Sequence, residues 1–246
     1  MGDLVQDYTM ASLVRDAASL NLEINGKQQE QFLLYAELLK LWNERMNLTS
    51  ITDLPNIFVK HFLDSLYMVR LVSQGKGASR ILDMGTGAGF PGIVINIMLP
   101  QYQVTLCDSL QKRTVFLHEV QNSLGLEHVD IVHSRAEELA KDAAYRSNFH
   151  VVTARAVAKL STLAEWCLPF VSIDGIFAAM KGPDPHEEVG QADQALRILG
   201  GKVQGVVFYD LPLDAGARTI VQIKKVKPTP KSFPRKPGEA IRHPLG

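Results

Sequence analysis

Residues 83–92 read Asp-Met-Gly-Thr-Gly-Ala-Gly-Phe-Pro-Gly, with four glycines in eight residues directly after a short apolar run. Glycine is costly inside regular structure, so so dense a cluster marks backbone that must turn sharply or let something approach closely. After a strand, such a turn also delivers the N-terminus of the next helix, whose free N–H groups act as donors. The stretch therefore asks for a strand–loop–helix unit, the building block of an α/β sheet. Its spacing, Gly-x-Gly-x-Gly from Gly85 to Gly89, departs from the Gly-x-Gly-x-x-Gly of dinucleotide loops, although Gly87, Gly89 and Gly92 leave that second reading open. Asp83 precedes the first glycine by two residues. An acid there would repel a pyrophosphate and suits a ligand with a cationic amine and free hydroxyls; a tight turn without ligand is the alternative.

The rest of the chain repeats the unit. Short apolar runs at 81–84, 104–107, 129–133, 150–154 and 173–180 alternate with helix-length segments at 91–99, 110–124, 136–143, 160–168 and 187–199. That alternation builds a parallel sheet covered on both faces. Two further strand runs, 203–209 and 219–226, have only a polar turn between them and should pair antiparallel. Ahead of the sheet, apolar residues between Lys27 and Met46 recur at three- and four-residue spacing, and 56–72 repeats the pattern with Pro55 in the first turn. The loop 74–79 breaks the helical signal. The expected organisation is a helical extension over 1–75 packing on the core, an α/β domain over 76–227, and a basic, proline-rich tail over 228–246. Five βα units closed by a hairpin is the layout of the seven-stranded class I S-adenosylmethionine (SAM) methyltransferase sheet, Rossmann-like and mostly parallel, with the last strand antiparallel.

Formal net charge is zero, yet residues 224–246 carry seven Lys or Arg against one acid. An extended strap over phosphates is one reading of that tail, and a merely solvated tail is the other. Cys107 and Cys167 lie in apolar stretches and read as reduced core thiols, with no metal site expected. The first residues lack the basic and apolar regions of a secretion signal, and Gln6 stands where a myristoylation motif needs Ser or Thr. No apolar stretch approaches a membrane span, so no membrane partner is expected and the expected setting is the cytoplasm.

Acids and cations then fall at the ends of the strand runs. Asp83 and Asp108 end the first two; an acid at the second suits a nucleoside ribose, and would also cap the helix beginning near Leu110. The loop after the third run holds Arg135, Ala136 and Glu137, where backbone could read an adenine edge, while Glu137 and Glu138 also suit the first turn of a helix. Arg155 ends the fourth run, with Arg135 and Lys181 expected to flank it. SAM carries an ammonium, a sulfonium and a ribose but no phosphate, which fits acids at these positions.

The motifs at 60–66 (Lys-His-Phe-Leu-Asp-Ser-Leu), 82–92, 108–117, 134–139, 151–158 and the C-terminal Phe-Pro-Arg-Lys-Pro-Gly stretch together resemble the RsmG (GidB) family over essentially the whole chain. Departures fall at Ala154 and His150. The resemblance implies a SAM-dependent enzyme that methylates N7 of a guanine in a decoding-centre loop of 16S rRNA, acting as a monomer on the 30S subunit or an assembly intermediate. It places cofactor contacts at Gly85, Phe90, Asp108, Ser109, Leu110, Ala136, Glu137 and Arg155; the reading of the loop adds Asp83 and Gly87, and Arg155 is expected also to orient the reactants. Lys231, Arg235, Lys236 and Arg242 of the tail, with Arg135 and Lys181, would meet RNA. A small-molecule methyltransferase and a SAM-binding assembly factor without turnover are the competing readings.

Overall fold

The computed structural model describes residues 8–75, 80–155 and 158–245. Parts of the 74–79 loop and of the 151–158 motif, the first seven residues and Gly246 lie outside them. Seven strands form one sheet in the order β3-β2-β1-β4-β5-β7-β6. They are β1 Arg80–Met84, β2 Gln103–Asp108, β3 Val129–His133, β4 Phe149–Arg155, β5 Val171–Lys181, β6 Gly201–Leu211 and β7 Gly216–Lys225. The first five pair in parallel, and β7 inserts antiparallel between β5 and β6. Every strand run anticipated from apolar patterning is present: β3 keeps its bounds, β1 gains one residue at its start, β2, β4, β5 and β6 lengthen at both ends, and β7 starts three residues earlier and ends one earlier than anticipated.

Alternation along the strands sends successive side chains to opposite faces. Ile81 joins one buried cluster and Leu82 the other. On the first face pack α1 Met10–Ser19, α2 Gly26–Met46, α4 Asp64–Ser73, α5 Gly92–Met98 and α6 Gln111–Leu124. On the second pack α8 Leu160–Cys167 and α9 His186–Leu199. Leu13, Phe32, Tyr35, Leu39 and Phe62 of the N-terminal helices are buried in the same cluster as Ile81 and Leu106 of the sheet. The extension thus shares the core of the α/β unit.

Local signals set the helix ends. Asn25 caps α2 with a reciprocal pair of bonds, its side chain accepting from Gln28 N while the Gln28 side chain accepts from Asn25 N. Asn47, in the left-handed region at φ 48°, ends it. The second anticipated helix runs from α3 Leu54–Ile57 into α4 through a π-helical turn, Phe58–Leu63. Such wide turns are uncommon and gather at functional sites. Two expectations need correction. Instead of a helix over 136–143 there is one short turn, α7 Ala136–Leu139. The Asp142 side chain accepts from Ala144 N, a local bond that competes with helix continuation.

The basic tail, anticipated as an extended strap, is folded onto the domain. Arg146 donates to the carbonyls of Thr229, Pro230 and Phe233. The buried Lys225 Nζ meets the carbonyls of Leu168 and Leu199 and the hydroxyl of Thr229. Burial, helped by Arg146, pushes that amine down to about 7. The tail ends in α10 Glu239–Arg242, which lies on α8, with Thr162 donating to the Ala240 carbonyl.

Candidate cofactor and acceptor sites

The glycine loop is held from three sides. Gly85 N and Thr86 N both donate to the Cys107 carbonyl at the end of β2, at 2.8 and 3.1 Å. Asp83 Oδ2 accepts from the Thr86 hydroxyl at 2.6 Å and from Gly92 N at 2.8 Å. Gly87 N donates to Asp108 Oδ2 at 2.9 Å. Gly85 and Gly87 take the left-handed conformation, φ 69° and 63°, so a side chain there would be strained. Gly92 is required for another reason: a Cβ would run into Leu106 and stand 2.9 Å from Asp83 Oδ2.

Asp83 thus clasps its own loop. It is fully buried, and desolvation raises its pKa to about 6 despite the two hydrogen bonds and Arg155. Its Oδ1 has no hydrogen-bond partner among the described residues. Asp108 does not cap α6, whose N-cap is Leu110, but holds the turn that leads into it. Its Oδ1 accepts from Leu110 N at the start of α6, and Arg113 pairs with its Oδ2 at 3.2 Å. It also lines a cavity.

That cavity, of about 280 Å³, opens at the carboxyl ends of β1, β2 and β3. It brings together Gly85, Asp108, Ser109, Arg135, Ala136 and Glu137. Four walls were not anticipated: Leu163 and Trp166 of α8, and Gly238 and Ile241 of the tail. Trp166 Nε1 donates to Glu137 Oε1 at 3.2 Å, fixing both side chains. Cys107 forms part of the floor, its thiol pushed up to about 12 by burial and by Asp108 and Asp83. Gly87 reaches this region through its bond to Asp108, and Leu110 through its backbone, its side chain half exposed. Asp83 and Phe90 are buried behind the loop rather than on this wall.

A second cavity, of about 460 Å³, lies over the ends of β4 and β5. Arg155, Lys181, Lys60 and Arg218 give it four cations against Asp64. Arg155 is anchored by the π-helical turn and α4. It donates to the Lys60 carbonyl at 3.1 Å, to Asp64 Oδ2 at 3.2 Å and to His61 Nδ1 at 3.2 Å. Its guanidinium stands 5.0 Å over the Phe90 ring, which also stacks with His61 and Tyr35 at 4.5 and 5.1 Å. Tyr209 donates to Asp64 Oδ1 at 2.7 Å. Burial and Arg155 push His61 down to about 3, so its ring is neutral; Nδ1 accepts from Arg155 and Nε2–H faces the Thr49 hydroxyl at 3.0 Å.

Arg155 and Lys181 therefore meet in the second cavity, while Arg135 lies on the first. Lys181 is already paired with Glu188 at 2.8 Å and bonded to the Ala158 carbonyl. Arg235 grips the buried Glu165 with Nε and Nη2. Lys231, Lys236 and Arg242 are exposed. His61 and Asp64 lie in the 60–66 motif but were given no role there, and Tyr209 and Trp166 carried no local signal beyond being aromatic in otherwise apolar runs.

The donor set fits SAM. The first cavity offers carboxylates for ribose hydroxyls and an apolar floor for a base, and the bare loop at Gly85 and Gly87 leaves space where a Cβ would stand. The orphaned Asp83 Oδ1 adds an acceptor at the base of that loop. This strand order, with a single antiparallel strand and a nucleoside-sized cavity at the strand ends, defines a class I SAM-dependent methyltransferase. Solved structures share the fold: a SAM-dependent O-methyltransferase from Thermotoga maritima has TM-score 0.51 at 17% identity, covering 78% of this chain and 72% of that one. TrmN from Thermus thermophilus has TM-score 0.52 at 15% identity, covering 67% and 48%.

Sequence comparison narrows the class. Residues 28–216 match the GidB family, described as rRNA small subunit methyltransferase G. Two proteins named ribosomal RNA small subunit methyltransferase G are similar over nearly their whole length. The one from Clostridium novyi is 45% identical over 93% of this chain and 94% of its own. The one from Desulfitobacterium hafniense is 46% identical over 92% and 93%. The chain belongs to the rRNA small subunit methyltransferase G family. Among the described residues no helix is long and apolar enough to cross a membrane.

Proposed function

We propose that the protein methylates N7 of a guanine in a decoding-centre loop of 16S rRNA, as a monomer in the cytoplasm, acting on the 30S subunit or an assembly intermediate. The observation that carries this reading is the pair of cavities at neighbouring strand ends. One is lined by acids and apolar groups suited to SAM, and the other by cations suited to a nucleotide.

When bound, SAM supplies a methyl group on a sulfonium. Attack by the N7 lone pair forms the N–CH₃ bond as the C–S bond breaks, its electron pair staying on sulfur; positive charge passes to the base and no proton leaves. The residues match that economy. His61 is neutral with both ring nitrogens engaged, and the two cysteines are buried with their thiols raised by desolvation. The remaining tasks are proximity and orientation, worth up to about 7–11 kcal/mol in favourable systems. Fixed by its contacts with Lys60, His61 and Asp64, Arg155 is placed to meet a phosphate or guanine O6, the acceptor edge that arginine commonly reads. N7 is hidden in the deep groove of an A-form duplex, so the target must be a loop or an open intermediate.

The test mixes the protein with labelled SAM and small-subunit RNA from cells lacking the enzyme, offered naked and as 30S particles, followed by chemical cleavage at N7-methylguanine. One cleavage in the decoding-centre loop is expected. Label incorporated without that cleavage moves the acceptor atom.

A further inference from the structure

The C-terminal tail forms one wall of the first cavity. Gly238 and Ile241 face Gly85, Asp108 and Ala136 across it, although more than one hundred residues separate them in sequence. Ile241 is 62% exposed, so its side chain has apolar surface left for a ligand to cover. Its position is nevertheless tightly set. Arg235 holds Glu165 through both carboxylate oxygens, at 2.6–3.1 Å, and Glu165 also accepts from Arg235 N. Glu165 is 1% exposed, so the ion pair is desolvated on the acid side and anchors the strap to α8. Arg235 Nη2 reaches on to the His243 carbonyl, and Thr162 holds the Ala240 carbonyl, so fixed bonds bracket Ile241. α8 also supplies Trp166 and Leu163 to the same cavity. One helix therefore orients three of its apolar walls.

We propose that Ile241 is a binding residue for the nucleobase end of SAM, and that the Arg235–Glu165 pair is the positioning clasp that holds it there. This rests on the cavity being the SAM site and adds to it a wall from the C-terminal tail. A flat base entering between Ala136 and the α8 side chains would cover the exposed face of Ile241 and gain the burial that the free protein lacks. The methyl-transfer end of the ligand lies away from this wall, toward Arg155, so Ile241 affects capture of the donor and not the transfer itself.

The experiment titrates SAM into full-length wild type, Ile241→Ala, Ile241→Asp, Arg235→Gln and Arg235→Lys by calorimetry, with thermal midpoints measured without ligand. Because Ile241 is largely exposed, its truncation should leave the midpoint unchanged while SAM affinity falls about five- to tenfold, the effect of losing part of one aliphatic contact. Asp at 241 should weaken binding further. In the RNA methylation assay KM for SAM should rise with kcat at saturation unchanged. Arg235→Gln should weaken binding by a larger factor than its drop in midpoint explains, and Arg235→Lys should recover part of it. Unaltered SAM affinity in both Ile241 variants would overturn the proposal, as would an Arg235 effect that vanishes at a temperature where each variant is fully folded. A wild-type protein that binds no SAM would instead sink the reading of the cavity.

Discussion

Replacing Asp83 by asparagine should stabilise the protein at neutral pH. The fully buried carboxylate has its pKa raised from 3.8 to about 6, chiefly by desolvation. A raised folded-state pKa means that the fold prefers the protonated acid. Its favourable contribution is complete below about pH 4, is lost as pH climbs through 6, and leaves a constant cost above that. At 1.36 kcal/mol per unit the cost is about 3 kcal/mol. Asparagine should keep the structure. Its oxygen can accept from Thr86 and Gly92 as Oδ2 does, and its amide would replace the orphaned Oδ1. Thr153, the register partner of Asp83 on β4, has a hydroxyl without a partner among the described residues, free to accept from the amide. Urea denaturation of both proteins from pH 4 to pH 8 isolates the effect, because all other titrations are shared. The stability gap should open in favour of Asp83→Asn by about 3 kcal/mol across that range. SAM titration should show weaker binding by the same variant. A gap that stays constant with pH, or a variant less stable than wild type at pH 8, would refute the desolvation argument.

The other substitutions separate fold from function. Gly85→Ala meets open space at a positive φ, so it should cost about 1–2 kcal/mol of stability and abolish tight SAM binding. Gly92→Ala, overlapping Leu106 and Asp83, should instead fail in thermal denaturation and expression yield. Arg155→Ala removes a partner of the buried Asp64 and should lower the transfer rate in single-turnover methylation; unchanged SAM affinity and unchanged rate together would exclude any role for it. Replacing the exposed Lys231 and Lys236 with Gln should reduce the salt slope of RNA affinity by roughly 1.5, the value for two single-strand phosphate contacts.

The fold was readable because its signals are local. Glycine spacing, apolar runs and the polar turn anticipated at 210–218 each lie within about ten residues, and the alternation they encode gives a parallel sheet closed by an antiparallel pair. Likewise Gly85, Asp108 and Glu137 were legible as strand-end residues and do share a cavity. The sequence misled about cations. Lys181 and Arg235 look free in the chain, but Glu188 is seven residues from the first and Glu165 seventy from the second, and only packing joins them. Asp83 was legible as a strand-end acid, while its bonds to Thr86 and Gly92 depend on the loop's curl back to Gly92. Trp166 and Ile241 could not be placed at all, since the tail meets α8 only after the sheet has formed.

The pH dependence of the reaction offers a separate check on an active site without a general base. A base working near neutrality would give the rate an ascending limb at its own pKa. Two nucleophilic or basic groups of the cavities are held far from that range: His61 at about 3, and the Cys107 thiol at about 12. The acceptor nitrogen loses no proton. Asp83 changes charge at about 6, and the ionised form suits a cationic ligand. The transfer rate at subsaturating SAM should therefore rise through about pH 6 and then stay level to about pH 8.5, and the rise should vanish in Asp83→Asn. At saturating SAM the limb should flatten, because the proton on Asp83 competes with capture and not with displacement. The orienting network around Arg155 supplies the reason the plateau can be level. With His61 neutral, its Nδ1 stays an acceptor for the guanidinium across the window. A second limb between pH 7 and 8.5 that persists with saturating SAM would show a proton transfer in the rate-limiting step and overturn this account of the chemistry.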